Sequence, residues 1–374
     1  MTVQLNKIDK YRWEVPKTGA MRVPGIIYAT ESMLKGEKQN EPLKQVANVA
    51  TLPGILRASM AMPDMHWGYG FPIGGVAAFD WKTGIISPGG VGYDINCGVR
   101  LATTALVEKE VRLRLEELVT SLYQNIPSGV GSTGSIKLSV TEEKKVLRQG
   151  SRWAVSQGFG NDTDLEHTED KGCMSNADPG VLSHRALERG RKQLGTLGSG
   201  NHFIEVGVVE AVYDQKAANV FGLFEGQVTL MLHTGSRGLG YQICDDSLAF
   251  MAKHVTKLGF NLPDRQLSCA MIQTEPGMRY YNAMSCGANY AWANRQILLH
   301  RSRDVFSKVF SIGPRDLNMN LVYDVCHNIA KKEEHIIDGK KRVVCVHRKG
   351  ATRSFPPGHP AVCDDYREVG QPIL

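Results

Sequence analysis

Long apolar runs are missing from these 374 residues. No stretch of eighteen consecutive apolar residues occurs, so no membrane-crossing helix is expected. The N-terminus, MTVQLNKIDKYRWEV, lacks the apolar centre of a secretory signal, which points to the cytosol. CxxC pairs are missing too. The eight cysteines stand at 97, 173, 244, 269, 286, 326, 345 and 363, a scatter unlike a secreted disulfide framework in a chain of this length. Reduced thiols are therefore expected, and any special cysteine would serve as a metal ligand or a nucleophile. Neither sign of charge dominates. A net charge of +6 permits a polyanionic partner without demanding one. No internal repeat is visible, which excludes solenoids and propellers.

What is present is a globular composition, 42% hydrophobic and 22% charged, long enough for one large core or two ordinary ones. Glycine is abundant, at 39 residues, and clustered: GYGFPIGG (68–75), PGGVGYDINCG (88–98), LGTLGSGNHF (194–203), HTGSRGLG (233–240) and RKGATRSFPPGH (348–359). Loops of this kind let backbone approach a ligand closely, and each of these carries His, Cys, Asp or Arg. Strand-like β-branched segments lead into most of them, at 74–81, 202–209, 228–234 and 342–348. Apolar spacing predicts helices over 108–126 and about 287–309, with another inside 316–337. Ser139 and Glu142 form a possible capping box that opens a helix running to about Val155. The polar segment 157–182 is expected to be a surface excursion. Strands and helices alternate without a βαβ rhythm, so the expected fold class is α+β, in one large domain over 1–374.

In YDINCG, Asp94 and Cys97 stand three residues apart beside glycines that allow a tight bend. His202, His233 and His327 each lie where an apolar element meets a polar or Gly-rich segment; the context of His327, YDVCHNIA, predicts a helix start. A thiolate, imidazoles and a carboxylate together suit zinc, iron or manganese, and raw affinity favours zinc. Five ligands exceed the needs of one tetrahedral ion. A thiolate shared between two ions would use all five, and paired metals are a common device for phosphoryl chemistry.

As an ordered set, MPDMHWGYGFPIGG (62–75), GGVGYDINCGVR (89–100), LGTLGSGNHFIEV (194–206), MLHTGSRGLG (231–240), CHN (326–328) and HRKGATRSFPPGH (347–359) resemble the RtcB-type RNA-splicing ligases over nearly the whole chain. The resemblance implies an enzyme of the RtcB-like fold that joins RNA 3′-phosphate or 2′,3′-cyclic phosphate ends to 5′-hydroxyl ends, using GTP and two Mn²⁺ ions. It implies that Cys97 bridges the ions, with Asp94 and His202 on one and His233 and His327 on the other. It puts the guanylate beside Asn201, His202, Phe203, Ile204, Glu205, His327 and Asn328. Phosphate contacts are expected from Arg237, Arg348, Lys349 and Arg353, from the basic run containing Arg185 and Arg189, and from His66. A solvated helix face is the other reading of that basic run. The expected protein is a monomer, with archease as a helper.

The sequence departs from the family pattern in one respect. The family's nucleophile is a histidine in an HGAGR-like segment, and none occurs before the chain ends at GQPIL. His347 and His359, two of the three histidines after His327, lie in other contexts, and His335 sits in the charged run KKEEHIID. The expectation is a chain truncated at its C-terminus relative to the family, with no assigned nucleophile, that binds metal and some GTP without forming the guanylylated intermediate. Two other readings use the same metal site: a metal-dependent 2′,3′-cyclic phosphodiesterase, and a non-catalytic subunit completed by the missing segment in trans.

Overall fold

The β-branched runs at 74–81, 202–209, 228–234 and 342–348 all fold as strands, within one or two residues of their expected ends. The computed structural model describes residues 3–35, 40–254 and 259–374. Its strands are β1 (Asn6–Lys7), β2 (Arg12–Val15), β3 (Gly25–Tyr28), β4 (Ile55–His66), β5 (Ile73–Asp80), β6 (Ile85–Ile86) and β7 (Gly98–Val107). They continue with β8 (Phe203–Val208), β9 (Gln227–Thr234), β10 (Ala270–Met271), β11 (Leu321–Cys326), β12 (Asn328–Ile337) and β13 (Lys340–Lys349).

A seven-stranded sheet has the order β1-β2-β3-β4-β5-β13-β12, and a four-stranded sheet the order β11-β7-β9-β8. The pair β3–β4 is parallel, and the four-stranded sheet is antiparallel throughout. Strand β9, QVTLMLHT, is buried along almost its whole length. That explains its unbroken apolar run, since a strand covered on both faces has no reason to alternate.

The helix Glu275–Phe310 is the spine of the molecule. Thr274 caps its start by accepting from the Gly277 amide, and Ser311 ends it in the left-handed conformation. Every residue from Ala283 to Leu299 is buried. Such a helix is packed on all sides, which is why its sequence shows little amphipathic contrast. Its first half joins the large apolar cluster containing Phe71, Phe79 and Ile95. Its second half, through Leu298, Leu299 and Phe306, packs with Leu230 and Leu232 of the four-stranded sheet. Among the described residues, no helix is long and apolar enough to cross a membrane.

Four expectations need correction in detail. The helix expected within 316–337 is absent, because Leu321–Cys326 and Asn328–Ile337 are strands paired with β7 and β13. The alternating exposure of Glu333–Ile337 has a period of two, which suits a strand and not a helix. The helix over 108–126 is interrupted at Leu113–Arg114, giving Glu108–Arg112 and Leu115–Asn125. The capping box holds, with Ser139 Oγ accepting from Glu142 N at 3.2 Å and Glu142 Oε2 from Ser139 N at 2.9 Å. That helix breaks at Gly150, however, where φ is 56°. The polar segment 157–182 is not a surface excursion throughout: Asp164, Thr168 and Glu169 are buried, Asp164 pairing with Arg303 and Glu169 with Lys331. Opposite charges there satisfy one another, so polarity of the sequence did not mean exposure.

Candidate metal centre

One end of the four-stranded sheet collects the predicted ligands. Cys97 immediately precedes β7, His327 immediately follows β11, His202 immediately precedes β8, and His233 is the penultimate residue of β9. The antiparallel register sets Gly98 opposite both Cys326 and Thr234, and Phe203 opposite His233. Pairing that buries the apolar strand interiors therefore brings four ligands from distant parts of the chain to one edge. Asp94 joins them from the turn before β7, where Cys97 N donates to Asp94 O at 3.0 Å.

Two triads result, Asp94–Cys97–His202 and Cys97–His233–His327, and within each the ligating atoms lie within 4.8 Å of one another. Cys97 belongs to both. Its Sγ lies 3.1 Å from His233 Nε2 and 3.5 Å from His202 Nε2. His202 Nε2 is 2.8 Å from Asp94 Oδ2, and His233 Nε2 is 3.2 Å from His327 Nε2. His233 Nδ1 donates to Asn201 O at 3.0 Å, so the lone pair of Nε2 faces its neighbours. Besides Thr234 Oγ1 at 3.4 Å, His202 Nδ1 faces an acceptor and a donor it cannot serve together, Leu197 O at 3.1 Å and Arg237 Nη1 at 2.9 Å. Donation to Leu197 leaves the Nε2 lone pair for a cation. Acceptance from Arg237 puts the proton on Nε2, shared with Asp94.

Burial pushes His233 down to about 4, reinforced by His202, and pushes His327 down to about 3, reinforced by His233 and Arg295. Both imidazoles are thus neutral donors at neutral pH. Burial raises Asp94, yet the hydrogen bond and charge of His202, with Cys97 and Arg237, outweigh it and hold the carboxyl at about 2. Burial and then Asp94 push the Cys97 thiol well above its ordinary value, so a cation must displace that proton to gain the thiolate. One thiolate, three imidazoles and one carboxylate, in two triads that share Cys97, form a donor set that suits divalent ions of borderline softness.

The support around the ligands includes residues that motif reading missed. Arg295, fully buried, donates to Asn96 O at 2.7 Å, Thr234 O at 2.9 Å and Asn96 Oδ1 at 2.9 Å, and grips both oxygens of Asp324. It ties the Cys97 turn to the ends of β9 and β11. Ser236 N donates to Asp94 Oδ1 at 2.9 Å, and a Cβ on Gly235 would meet that oxygen at 2.4 Å, so only glycine admits the carboxylate there. The tight turn at 94–97 was a readable signal for Asn96, whose φ is 53°. Nothing in the local sequence marked Arg295, which lies inside a buried helix.

Next to Asp94 and His202 opens a cavity of about 930 Å³. Arg185, Arg189, Lys192 and Arg237 line it, together with Asn201, Tyr93 and Tyr241. Phe203 and Glu205 are exposed, whereas the Ile204 side chain packs with Val206 against the apolar cluster beneath the sheet. Phe203 sets its ring 5.4 Å from that of His233. Asn328 Nδ2 donates to Asp94 O at 3.1 Å, and Gly350 N to Asn328 Oδ1 at 2.9 Å, which fastens the two loops together. His66 is exposed at the end of β4, outside this cavity, with Nδ1 3.0 Å from Trp67 O.

Three expected phosphate contacts are corrected. Arg348 is buried and bidentate on Glu333, at 2.5 and 3.1 Å. Arg353 is buried against Asp170 and Glu169. Lys349 is buried with Nζ on Tyr69 O at 2.6 Å and Phe71 O at 3.1 Å, and desolvation lowers it to about 8. Each cation is consumed internally, so it braces the scaffold and presents no free charge to an RNA.

A family model described as tRNA-splicing ligase RtcB matches residues 45–374. A protein of Thermococcus kodakarensis named tRNA-splicing ligase RtcB is 56% identical over 373 residues, spanning 100% of this chain and 77% of its own length. Proteins of the same name from Aeropyrum pernix and Methanococcus maripaludis are 54% and 51% identical, over 98% and 100% of this chain and 77% and 78% of theirs. With a family model over most of its length and relatives this similar end to end, the chain belongs to the RtcB tRNA-splicing ligase family.

Proposed function

We propose that this chain carries the metal and RNA-end sites of a GTP- and manganese-dependent RNA ligase, which joins 3′-phosphate or 2′,3′-cyclic phosphate ends to 5′-hydroxyl ends. The observation that carries the reading is Cys97, shared by two triads, one of which reaches an arginine-lined cavity through Asp94 and His202. Asp94, Cys97 and His202 would hold one Mn²⁺, and Cys97, His233 and His327 the other. Bound there, such ions would offset charge on the attacking and leaving oxygens of phosphoryl transfer.

The protein's own groups do the rest. Arg185, Arg189 and Lys192 give the cavity positive charge to receive the phosphates of RNA and GTP. Arg237 is released from His202 Nδ1 whenever that nitrogen donates to Leu197, which frees its guanidinium for a phosphate. Asn201, Phe203 and Glu205, with Asn328, would line the guanylate site.

Neither His347 nor His359 is placed as a nucleophile, and His335 is engaged with Glu333 at 2.8 Å. His347 is sealed between Phe71 and Phe79, with Nε2 accepting from Ser87 N at 3.1 Å. His359 stacks on Phe355 at 3.8 Å, beside His335 and away from the centre. Within these 374 residues we therefore expect Mn²⁺ binding without a GMP adduct. Incubation with α-labelled GTP, Mn²⁺ and RNA ends tests this: an acid-labile GMP on the chain alone, or Mn²⁺ binding that survives Cys97→Ala, refutes it. Because both triads are built without the nucleophile segment, opening of 2′,3′-cyclic phosphates without GTP is the second reading, and monophosphate release from a cyclic-phosphate RNA would reveal it.

A further inference from the structure

Against the wall of the cavity, and only one residue from Asp94, stands an aromatic stack that the ligase reading leaves unused. Tyr93 and Tyr241 lie face to face, with ring centroids 4.9 Å apart and planes at 27°. Tyr69 meets Tyr93 edge-on at 5.8 Å, and its carbonyl is one of the two gripped by the Lys349 ammonium. Tyr241 sits one turn beyond Arg237 on the helix Arg237–Ala252 and stays 48% exposed. The Arg189 guanidinium lies 5.5 Å from its ring centroid. Both rings line the cavity that also holds Arg185, Lys192 and Arg237.

A core role would call for burial, and Tyr241 is half open. A purely phosphate-binding cavity would need the arginines alone. Rings backed by a second ring, flanked by guanidiniums and open on one side are what single-stranded nucleic acid requires, because bases stack on aromatic faces while cations follow the backbone. We propose that the Tyr93–Tyr241 stack receives a nucleobase of the RNA strand whose terminal phosphate faces the metal centre. The base takes the place of the Arg189 guanidinium over Tyr241 and turns that arginine toward the neighbouring phosphate. The proposal rests on the RNA-end reading above and adds a base-binding position to it.

The test measures anisotropy of a labelled single-stranded RNA 3′-phosphate with the Mn²⁺-loaded chain at several salt concentrations. Tyr241→Ala should weaken binding about tenfold with the salt dependence unchanged, since a stacking contact is lost and no phosphate contact is. Tyr241→Leu, which keeps the bulk without the π face, should lose as much, and Tyr241→Trp should bind at least as tightly as the parent. An RNA whose last two nucleotides are abasic should bind parent and Tyr241→Ala equally. Unchanged affinity in both Tyr241→Ala and Tyr241→Leu overturns the proposal. So does quenching of the Tyr241→Trp fluorescence by GMP alone with RNA affinity unaffected, which would give the stack to a free nucleotide. If the parent binds no RNA, this proposal and the RNA-end reading both fall; if the parent binds and Arg237→Ala weakens it with a shallower salt slope while Tyr241→Ala does not, only this one does.

Discussion

Replacing Arg295 with methionine should damage the metal centre from behind. Methionine can fill the space of the aliphatic stem, but it donates nothing. The carbonyls of Asn96 and Thr234 lose their 2.7 and 2.9 Å donors, and Asp324 keeps only its 2.7 Å bond from Arg100 Nε. Two buried acceptors without partners cost ~1–3 kcal/mol each, and the weakened hold on Asp324 adds to that. A loss of roughly 3–6 kcal/mol follows, a large share of the ~5–15 kcal/mol typical of a folded protein. The same change removes two of the four bonds on left-handed Asn96, leaving its N on Asn328 O and its Nδ2 on Ala288 O, and Cys97 is the next residue. Loss of support behind a ligand costs ~10–100-fold in metal affinity, and that is the expected weakening for Mn²⁺. Urea unfolding followed by tryptophan fluorescence reads the first effect, helped by the fully buried Trp292 on the same helix. Electron paramagnetic resonance of free Mn²⁺ reads the second. Arg295→Lys should recover part of the stability and little of the affinity, because an ammonium cannot serve both strand ends in the guanidinium's geometry. An unchanged unfolding midpoint together with Mn²⁺ affinity within about twofold of the parent would refute the reasoning, since ~2-fold is below anything a lost support should give.

Metal content should separate the two triads: Asp94→Asn and His327→Gln each lose one ion and keep the other, whereas Cys97→Ala loses both, by elemental analysis after dialysis. Equal loss in all three variants would mean a single site. Gly235→Ala should abolish binding at the Asp94 triad while the chain stays folded, because the new methyl would meet Asp94 Oδ1 at 2.4 Å; calorimetric titration with Mn²⁺ checks it. Stability should fall on acidification below about pH 6.5, because burial holds His347 at about 3 and charge pairing with Lys331 and Arg353 overrides burial to hold Glu169 at about 2, so the unfolded chain takes up more protons. Each such group contributes a slope of up to ~1.4 kcal/mol per pH unit, and a urea midpoint that stays flat from pH 7 to 4.5 would contradict it.

The five candidate ligands were legible because each is a chemically distinctive residue beside a glycine-rich or strand-like segment. The strands at 74–81, 202–209, 228–234 and 342–348 were legible for a related reason: β-branched runs bounded by turn residues have few other uses. His327 was expected at a helix start and stands between two strands. The run LVYDVC is buried on both faces, and a short apolar run of that kind has no periodicity to tell strand from helix. Arg348, Lys349 and Arg353 look like phosphate ligands in a linear reading, since their loop is glycine-rich and basic. Their partners Glu333, Glu169 and Asp170, and the Tyr69 and Phe71 carbonyls, come from remote segments, so pairing became visible only with the fold. Arg295 was unreadable for the same reason. Its acceptors lie 199, 61 and 29 residues away.

The convergence of ligands on one edge of the four-stranded sheet has a consequence for motion. Cys97, His202, His233 and His327 adjoin or belong to all four strands, β7, β8, β9 and β11. Cations held there would couple openings that are otherwise separable, since no strand could fray at that edge without breaking a coordination bond. Amide exchange should then slow together in the residues flanking the ligands on all four strands when Mn²⁺ is added, with the effect fading toward the opposite edge. The ions would act as a clasp on the hydrogen-bonded ladder as well as reagents, and a mutation that loosens any one strand would be felt at the other three.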